Sequence, residues 1–230
     1  GWGWAMNFVK RVSVTFDNVL CAANAVGTET ASVTGFRDFL NRVEGLALVF
    51  RRFTGAPYDN TLHHHVPQNH EFATFLGIGE VTTDGHVHVS DVTFNHGFRF
   101  FMPECVNVTI VIEDCPDGGA DSFFSVLATS TDCTLEVRNV HNLAGVFQDV
   151  GFNSTNVRVV VHNVTNLERA SFTRVGLNSH FMNFTMTHVS NVQQSLPAIA
   201  FGADHGTFTF EDIEDVSDNS FIVPAVATNA

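Results

Sequence analysis

The sequence predicts an all-β solenoid, a single-stranded parallel β-helix of about nine coils of about 24 residues each. Three observations carry that expectation. An apolar triad recurs every 24 or 25 residues, a second apolar pair spaced by three follows it, and corners rich in Gly, Asn and Ser separate the two. With 230 residues and 44% apolar composition, the chain has enough material for one such core.

The triad is clearest in Thr134-Leu-Glu-Val-Arg-Asn-Val140, Arg158-Val-Val-Val-His-Asn-Val164, Asn183-Phe-Thr-Met-Thr-His-Val189 and Thr207-Phe-Thr-Phe-Glu-Asp-Ile213. Taking Leu135 as offset zero, the equivalents are Val14, Asp38, Leu62, Val87, Ile110, Leu135, Val159, Phe184 and Phe208. Across offsets zero, +2 and +5, only Asp38, His64 and Pro67 interrupt an apolar set of 27, where composition alone gives about 12. Coils two and three, residues 36–80, are therefore expected to be the least regular. Within them, Val43-Glu-Gly-Leu-Ala-Leu-Val-Phe50 is aligned with Val140–Phe147 as a variant coil.

The second element is the spaced pair, read as Phe50/Phe53, Phe72/Phe75, Phe98/Phe101, Phe124/Leu127, Phe147/Val150 and Phe172/Val175, with smaller residues in the outer units. These rings are expected to form an interior aromatic ladder. No unit can bury its apolar face alone, so the units must stack, about 4.8 Å apart, into a rod about 43 Å long. Offset +4 is polar in most units (Asn18, Asp91, Asp114, Asn139, Asn163, His188, Asp212) and reads as a corner ladder of left-handed backbone. Residues 1–13 form a leader or partial cap, and the helix occupies 14–230, as a complete subunit or as a segment of a longer solenoid.

The Val/Thr-X-Val-X-Asn-Val rhythm with Phe-X-X-Val-Gly resembles pectin-lyase-like right-handed parallel β-helices. It also resembles, more loosely, the repeat regions of the large dispersed-family surface proteins of trypanosomes, through stretches such as Arg158-Val-Val-Val-His-Asn-Val-Thr165. The resemblance spans residues 12–226 and implies a right-handed coil and surface display. Its motif is a packing motif, so it carries no catalytic residue across.

Composition narrows function. Net charge is −13, and the single lysine, Lys10, and ten arginines make no basic patch, which argues against nucleic acid as a partner. No run approaches a membrane span. Four sequons (Asn107, Asn153, Asn163, Asn183) and four cysteines in a lysine-poor, Asn/Thr-rich chain point to an extracellular or cell-surface glycoprotein. Should Asn163 be held in the corner ladder, its sequon would be silent. Cys115 is expected to be buried and free, and Cys105 with Cys133 is the candidate bridging pair.

Candidate chemistry is sparse. Asp84-Gly-His86, Asn95-His-Gly97 and Asp204-His-Gly206 resemble polygalacturonase fragments but lack the paired aspartates and the Arg-X-Lys segment that would complete such a site. His63, His65 and His88 fall on neighbouring outward offsets and are the candidate metal ligands, for Zn²⁺ or Cu²⁺. His64 reads instead as a core partner of Asp38. The acidic loop Glu113–Asp121, with Asp91 beside Asp114, would suit Ca²⁺ but lacks any regular ligand spacing. No cofactor is expected. Neither end carries a dedicated cap, so end-to-end self-association or continuation of the same chain is the expected partnership, with glycans as further ligands. The function expected is therefore that of an extracellular structural or adhesive solenoid, not an enzyme; the alternative is a carbohydrate-active β-helix, a polysaccharide lyase or hydrolase.

Overall fold

A computed structural model describes residues 2–3, 6–20, 36–54, 75–93, 98–117, 123–144, 146–168, 171–193, 198–199, 202–217 and 220. The described residues form fifteen β-strands and no helix. Eight are long: β2 (Lys10–Leu20), β4 (Glu44–Thr54), β6 (Thr83–Thr93), β8 (Val106–Glu113), β10 (Thr134–Ala144), β11 (Arg158–Glu168), β13 (Asn183–Val192) and β15 (Thr207–Val216). The short ones are β1 (Trp2–Gly3), β3 (Phe36–Phe39), β5 (Phe75–Ile78), β7 (Phe98–Phe101), β9 (Phe124–Val126), β12 (Arg174–Val175) and β14 (Ala198–Ile199).

The long strands make one eight-stranded sheet in chain order, and β1, β3, β5, β7 and β9 make a second, also in chain order. β12 pairs with β14. Every pairing is parallel. From β6 onward the chain lays each long strand beside the previous one in a constant register: Val87, Ile110, Leu135, Val159, Phe184 and Phe208 lie side by side. That is the register the repeat predicts for this part of the chain.

The first repeats differ from the expectation. Val14 pairs with Leu48, and Leu48 with Val87, so Asp38 and Leu62 are not equivalents of Leu135. Asp38 belongs to β3 in the second sheet, while Leu62, His64 and Pro67 lie outside the described residues. Phe50 pairs with Phe16 and Val89, not as an equivalent of Phe147. Among the described residues the long sheet therefore holds eight strands where nine units were read. The physical reason is that extra chain enters between long and short strands. Fifteen residues separate β2 from β3 and twenty separate β4 from β5, against four between β6 and β7. Lengthening a connection costs only slowly growing closure entropy, so nothing forces the 24-residue count to persist there.

The unusual 0, +2, +5 pattern of buried positions has a local cause. In a straight strand, alternate residues face the same side. At offset +4, however, the backbone turns left-handed: φ is 56° at Asn18, 49° at Arg52, 51° at Asp91, 53° at Asp114, 53° at Asn139, 52° at Asn163, 55° at His188 and 52° at Asp212. One left-handed residue advances the alternation by one step, so offset +5 points inward instead of outward. A second left-handed residue at Asn142, Asn166 and Asn191 does the same again and buries Leu143, Leu167 and Val192. Asn and Asp are over-represented here because their short side chains tolerate this conformation at low cost.

Both sheets feed one apolar core. Phe98, Phe123, Phe147 and Phe172 stack with centroids 4.9, 5.1 and 4.9 Å apart and planes within 15° of parallel. An interior ladder is present as expected, but its members differ: Phe123, not Phe124, is the rung, and Phe75, read as the second member of its pair, lies opposite Phe98, the first member of the next, while Phe72 is outside the described residues. Phe124 lies opposite Arg99 in the strand pairing. Phe50 and Phe53 are likewise residues of the long sheet, and the ring of Phe50 meets that of Phe98 at 5.1 Å, joining the two sheets.

Candidate functional site

Among the described residues, a set of Asn and Asp side chains sits on rungs, each bonded to its equivalent one strand away. At offset +4, Asn163 Nδ2 donates to Asn139 Oδ1 (2.8 Å) and Asn139 Nδ2 donates to Asp114 Oδ1 (2.8 Å). A parallel ladder runs from Asn191 through Asn166 to Asn142, at 2.8 and 2.7 Å. A third joins Asn107 to Asp84 and Asn156 to Asp132. Inside the corner, the backbone N–H groups of Cys105, Ser130 and Ser154 donate to the hydroxyls of Ser130, Ser154 and Ser179 respectively. The polar residues at offset +4 and the Gly/Asn/Ser-rich corners were the visible sequence signals of these ladders; only offset +4 was read as one.

Of the expected sequon sites, Asn107 and Asn163 are rung residues, whereas Asn153 and Asn183 are exposed, with no side-chain hydrogen bond among the described residues. Of the expected metal ligands, His63 and His65 lie outside the described residues. His88 is on the outer face of β6, with Nε2 2.7 Å from Glu113 Oε1, and Arg138 Nε donates to the other oxygen of that carboxylate at 2.5 Å. Burial opposes ionisation of Glu113, but the hydrogen bonds and positive charge of Arg138 and His88 outweigh it and hold the carboxyl below its ordinary range. A carboxyl lowered in the folded state stabilises the fold above its unfolded pKa, about 4.3, and that contribution is lost as pH falls through the folded value. Glu113→Gln is accordingly expected to flatten the fall in urea midpoint between about pH 5 and pH 3 relative to wild type. An unchanged slope would show that the clamp contributes nothing to acid stability.

The acidic loop is also partly committed. Glu113 is clamped, Asp114 accepts from Asn139, and Asp117 forms a parallel bridge with Thr93; residues 118–121 lie outside the described residues. Asp84 accepts from Asn107, and residues 95–97 of the second polygalacturonase-like tripeptide are also outside the described set.

Cys115 is buried and free, as the sequence predicted, and Cys105 and Cys133 are free too. The candidate Cys105–Cys133 bridge is therefore absent. Cys105 is in register with Ser130, three residues before Cys133, and the thiols donate instead to backbone carbonyls: Cys105 to Gly79, Cys115 to Glu113 and Cys133 to Thr131. Burial pushes the Cys105 and Cys115 thiols up to about 12 and raises that of Cys133, so none is a thiolate nucleophile at neutral pH. Cys21 lies outside the described residues.

One grouping was missed as such, although the sequence reading had touched one of its parts. His180 and Asp204 form a parallel bridge, and His205 follows. His180 Nδ1 is hydrogen-bonded to Asp204 Oδ1, and His205 Nδ1 lies 3.8 Å from Asp204 Oδ2. Their separation of 24 residues was the available signal, because residues one repeat apart are neighbours on adjacent strands. Compared with known proteins, the chain matches no protein-family model, no curated protein and no solved structure.

Proposed function

We propose that the two parallel sheets are walls of a right-handed β-helix that serves as an extracellular structural or adhesive element, either as a filament subunit or as a segment of a larger surface protein. The interleaving of the sheets supports the coil. From β1 to β10 the chain visits the short sheet and the long sheet alternately, each visit adding a strand beside the previous one; β11 then follows β10 directly in the long sheet, and β12 and β14 alternate with β11, β13 and β15 as a separate parallel pair. Parallel crossovers of this kind are right-handed in nearly all proteins.

The observation that carries the function is the state of the last strand. β15 lies at the edge of the long sheet, and among the described residues nothing pairs with its outer side. Its apolar residues are uncovered compared with their equivalents in inner strands: Phe210 is 36% exposed and Val216 45%, where Val161 and Leu167 are fully buried. A parallel edge strand left unpaired recruits another strand, whether from a second chain or from further along the same one. When the acceptor surface is at the opposite end of the stack, the contact is heterologous and propagates into a filament. The rungs suit that role, because they tie each strand to the next along the axis. Sugars on Asn153 and Asn183 would decorate the outer surface without breaking a rung.

Size-exclusion chromatography with light scattering, beside negative-stain microscopy, tests this. Wild-type protein is expected to form rods or polymers at neutral pH, and Phe210→Lys combined with Val216→Lys is expected to convert them to monomers with an unchanged circular-dichroism spectrum. A wild-type monomer that cleaves acidic polysaccharide would overturn the reading in favour of a carbohydrate-active enzyme.

A further inference from the structure

We propose that His180, Asp204 and His205 form a binding site for a divalent first-row transition-metal ion, with Zn²⁺ as the probe of choice. The inference is independent of the filament reading. Two imidazoles and a carboxylate are a ligand set that Zn²⁺ and its neighbours in the series take, and their donor atoms all lie within 4.8 Å of one another. The carboxylate sits between the rings, and on each ring Nδ1 is the nitrogen that approaches it.

The backbone around the three residues is fixed. His180 N–H donates to Ser154 C=O at 2.8 Å, Asp204 N–H to Ser179 C=O at 3.0 Å, and Phe181 N–H to Asp204 C=O at 3.2 Å. His205 has φ 52°, a left-handed turn directly after the bridge residue. The ring of Phe181 lies against both imidazoles, 3.9 Å from that of His180 and 5.2 Å from that of His205 between centroids, which restricts their rotation.

Metal–donor distances of about 2.0–2.2 Å place neighbouring ligand atoms roughly 3–3.5 Å apart. His205 Nδ1, now 3.8 Å from the carboxylate, needs only a small side-chain rotation to comply, and the His180–Asp204 pair must open slightly. The side chains are 42–61% exposed, so water can complete the coordination shell. The hydrogen bond from His180, with the charges of the two histidines when protonated, holds Asp204 below the ordinary carboxylate range, so the carboxylate is ionised at neutral pH. Bound metal would link residues of two adjacent coils. It would therefore raise stability by mass action.

The test is isothermal titration of the intact chain with Zn²⁺ at pH 7.5, repeated with Co²⁺ to read ligand-field absorption. One equivalent of Zn²⁺ per chain is expected at this site. The double variant His180→Ala, His205→Asn is expected to weaken that binding at least about tenfold, and Asp204→Asn to a smaller extent. Asn is chosen at 205 because it tolerates the left-handed backbone. Circular dichroism of each variant should match wild type, since all three side chains are half-exposed. Because His162 and His188 also bring their rings within 5.0 Å, the double variant His162→Ala, His188→Ala is the control and should retain wild-type affinity. The inference is overturned if Zn²⁺ does not bind, if binding survives the 180/205 variant, or if it is lost in the 162/188 variant alone.

Discussion

Phe147→Ala is expected to lower folding stability by about 3–5 kcal/mol, read as a shift in the urea denaturation curve. Phe147 is 1% exposed, with the ring of Phe123 on one side at 5.1 Å and that of Phe172 on the other at 4.9 Å. Truncation removes the transfer free energy of a ring and leaves a cavity whose neighbours sit just before the short strands β9 and β12, with Phe172 N–H bonded to Val146 C=O at 2.9 Å. Backbone hydrogen bonds between neighbouring repeats, such as Ser125 N–H to Gln148 C=O and Phe172 N–H to Val146 C=O, keep a spacing of about 4.8 Å, so Phe123 and Phe172 cannot close the gap without breaking them. Stacked rings should add a coupling of about 0.5–1.5 kcal/mol, measurable in a double-mutant cycle with Phe123→Ala. Phe147→Leu keeps most of the volume and should cost less than half as much. A loss under about 1 kcal/mol for the alanine variant would show that the ladder collapses easily, contrary to the rigid spacing.

The same rigidity decides what could be read from the amino-acid sequence. From Val87 to Phe208 the register was legible, because one repeat there has a nearly fixed residue count and the inward positions are Val, Ile, Leu, Met, Phe or Cys. The left-handed rung at offset +4 was legible for a different reason: Asn and Asp recur there against an apolar background. The first two steps were not. The step from Val14 to Leu48 is 34 positions and that from Leu48 to Val87 is 39, and a fixed period imposed on them put Asp38 and Leu62 where the fold has neither. The Phe123-for-Phe124 slip arose because two adjacent phenylalanines fit the spacing equally and only the strand pairing separates them.

The histidines teach a complementary lesson about proximity. His is dense in sequence over residues 63–96, yet in stacked strands closeness follows register and not density. His180 and Asp204 are 24 apart and adjoin. His88 finds Glu113, 25 residues away. Polar contacts in this chain therefore follow the same repeat offsets as the apolar ones.

Val161→Asp is expected to cost on the order of 5 kcal/mol at neutral pH, comparable with the whole stability of a marginal domain. Val161 lies in the middle of the long sheet, fully buried, paired between Val137 and Met186. Backbone N–H groups there are engaged in the parallel ladder, so an introduced carboxylate would find neither water nor a free donor. Its charge would be expelled by raising its pKa. A carboxyl raised in the folded state destabilises least below the unfolded value of about 3.9, and its penalty grows as pH rises toward the folded value. The difference in urea midpoint between wild type and variant should thus widen from pH 4 to pH 8, even though wild type itself loses the Glu113 contribution in acid. Val161→Asn supplies the comparison: a polar, non-titrating group of similar size whose penalty should not vary with pH. Equal deficits for the aspartate variant at pH 4 and pH 8 would mean that water reaches Val161, and the core between the two sheets would then be open where the structure has it closed.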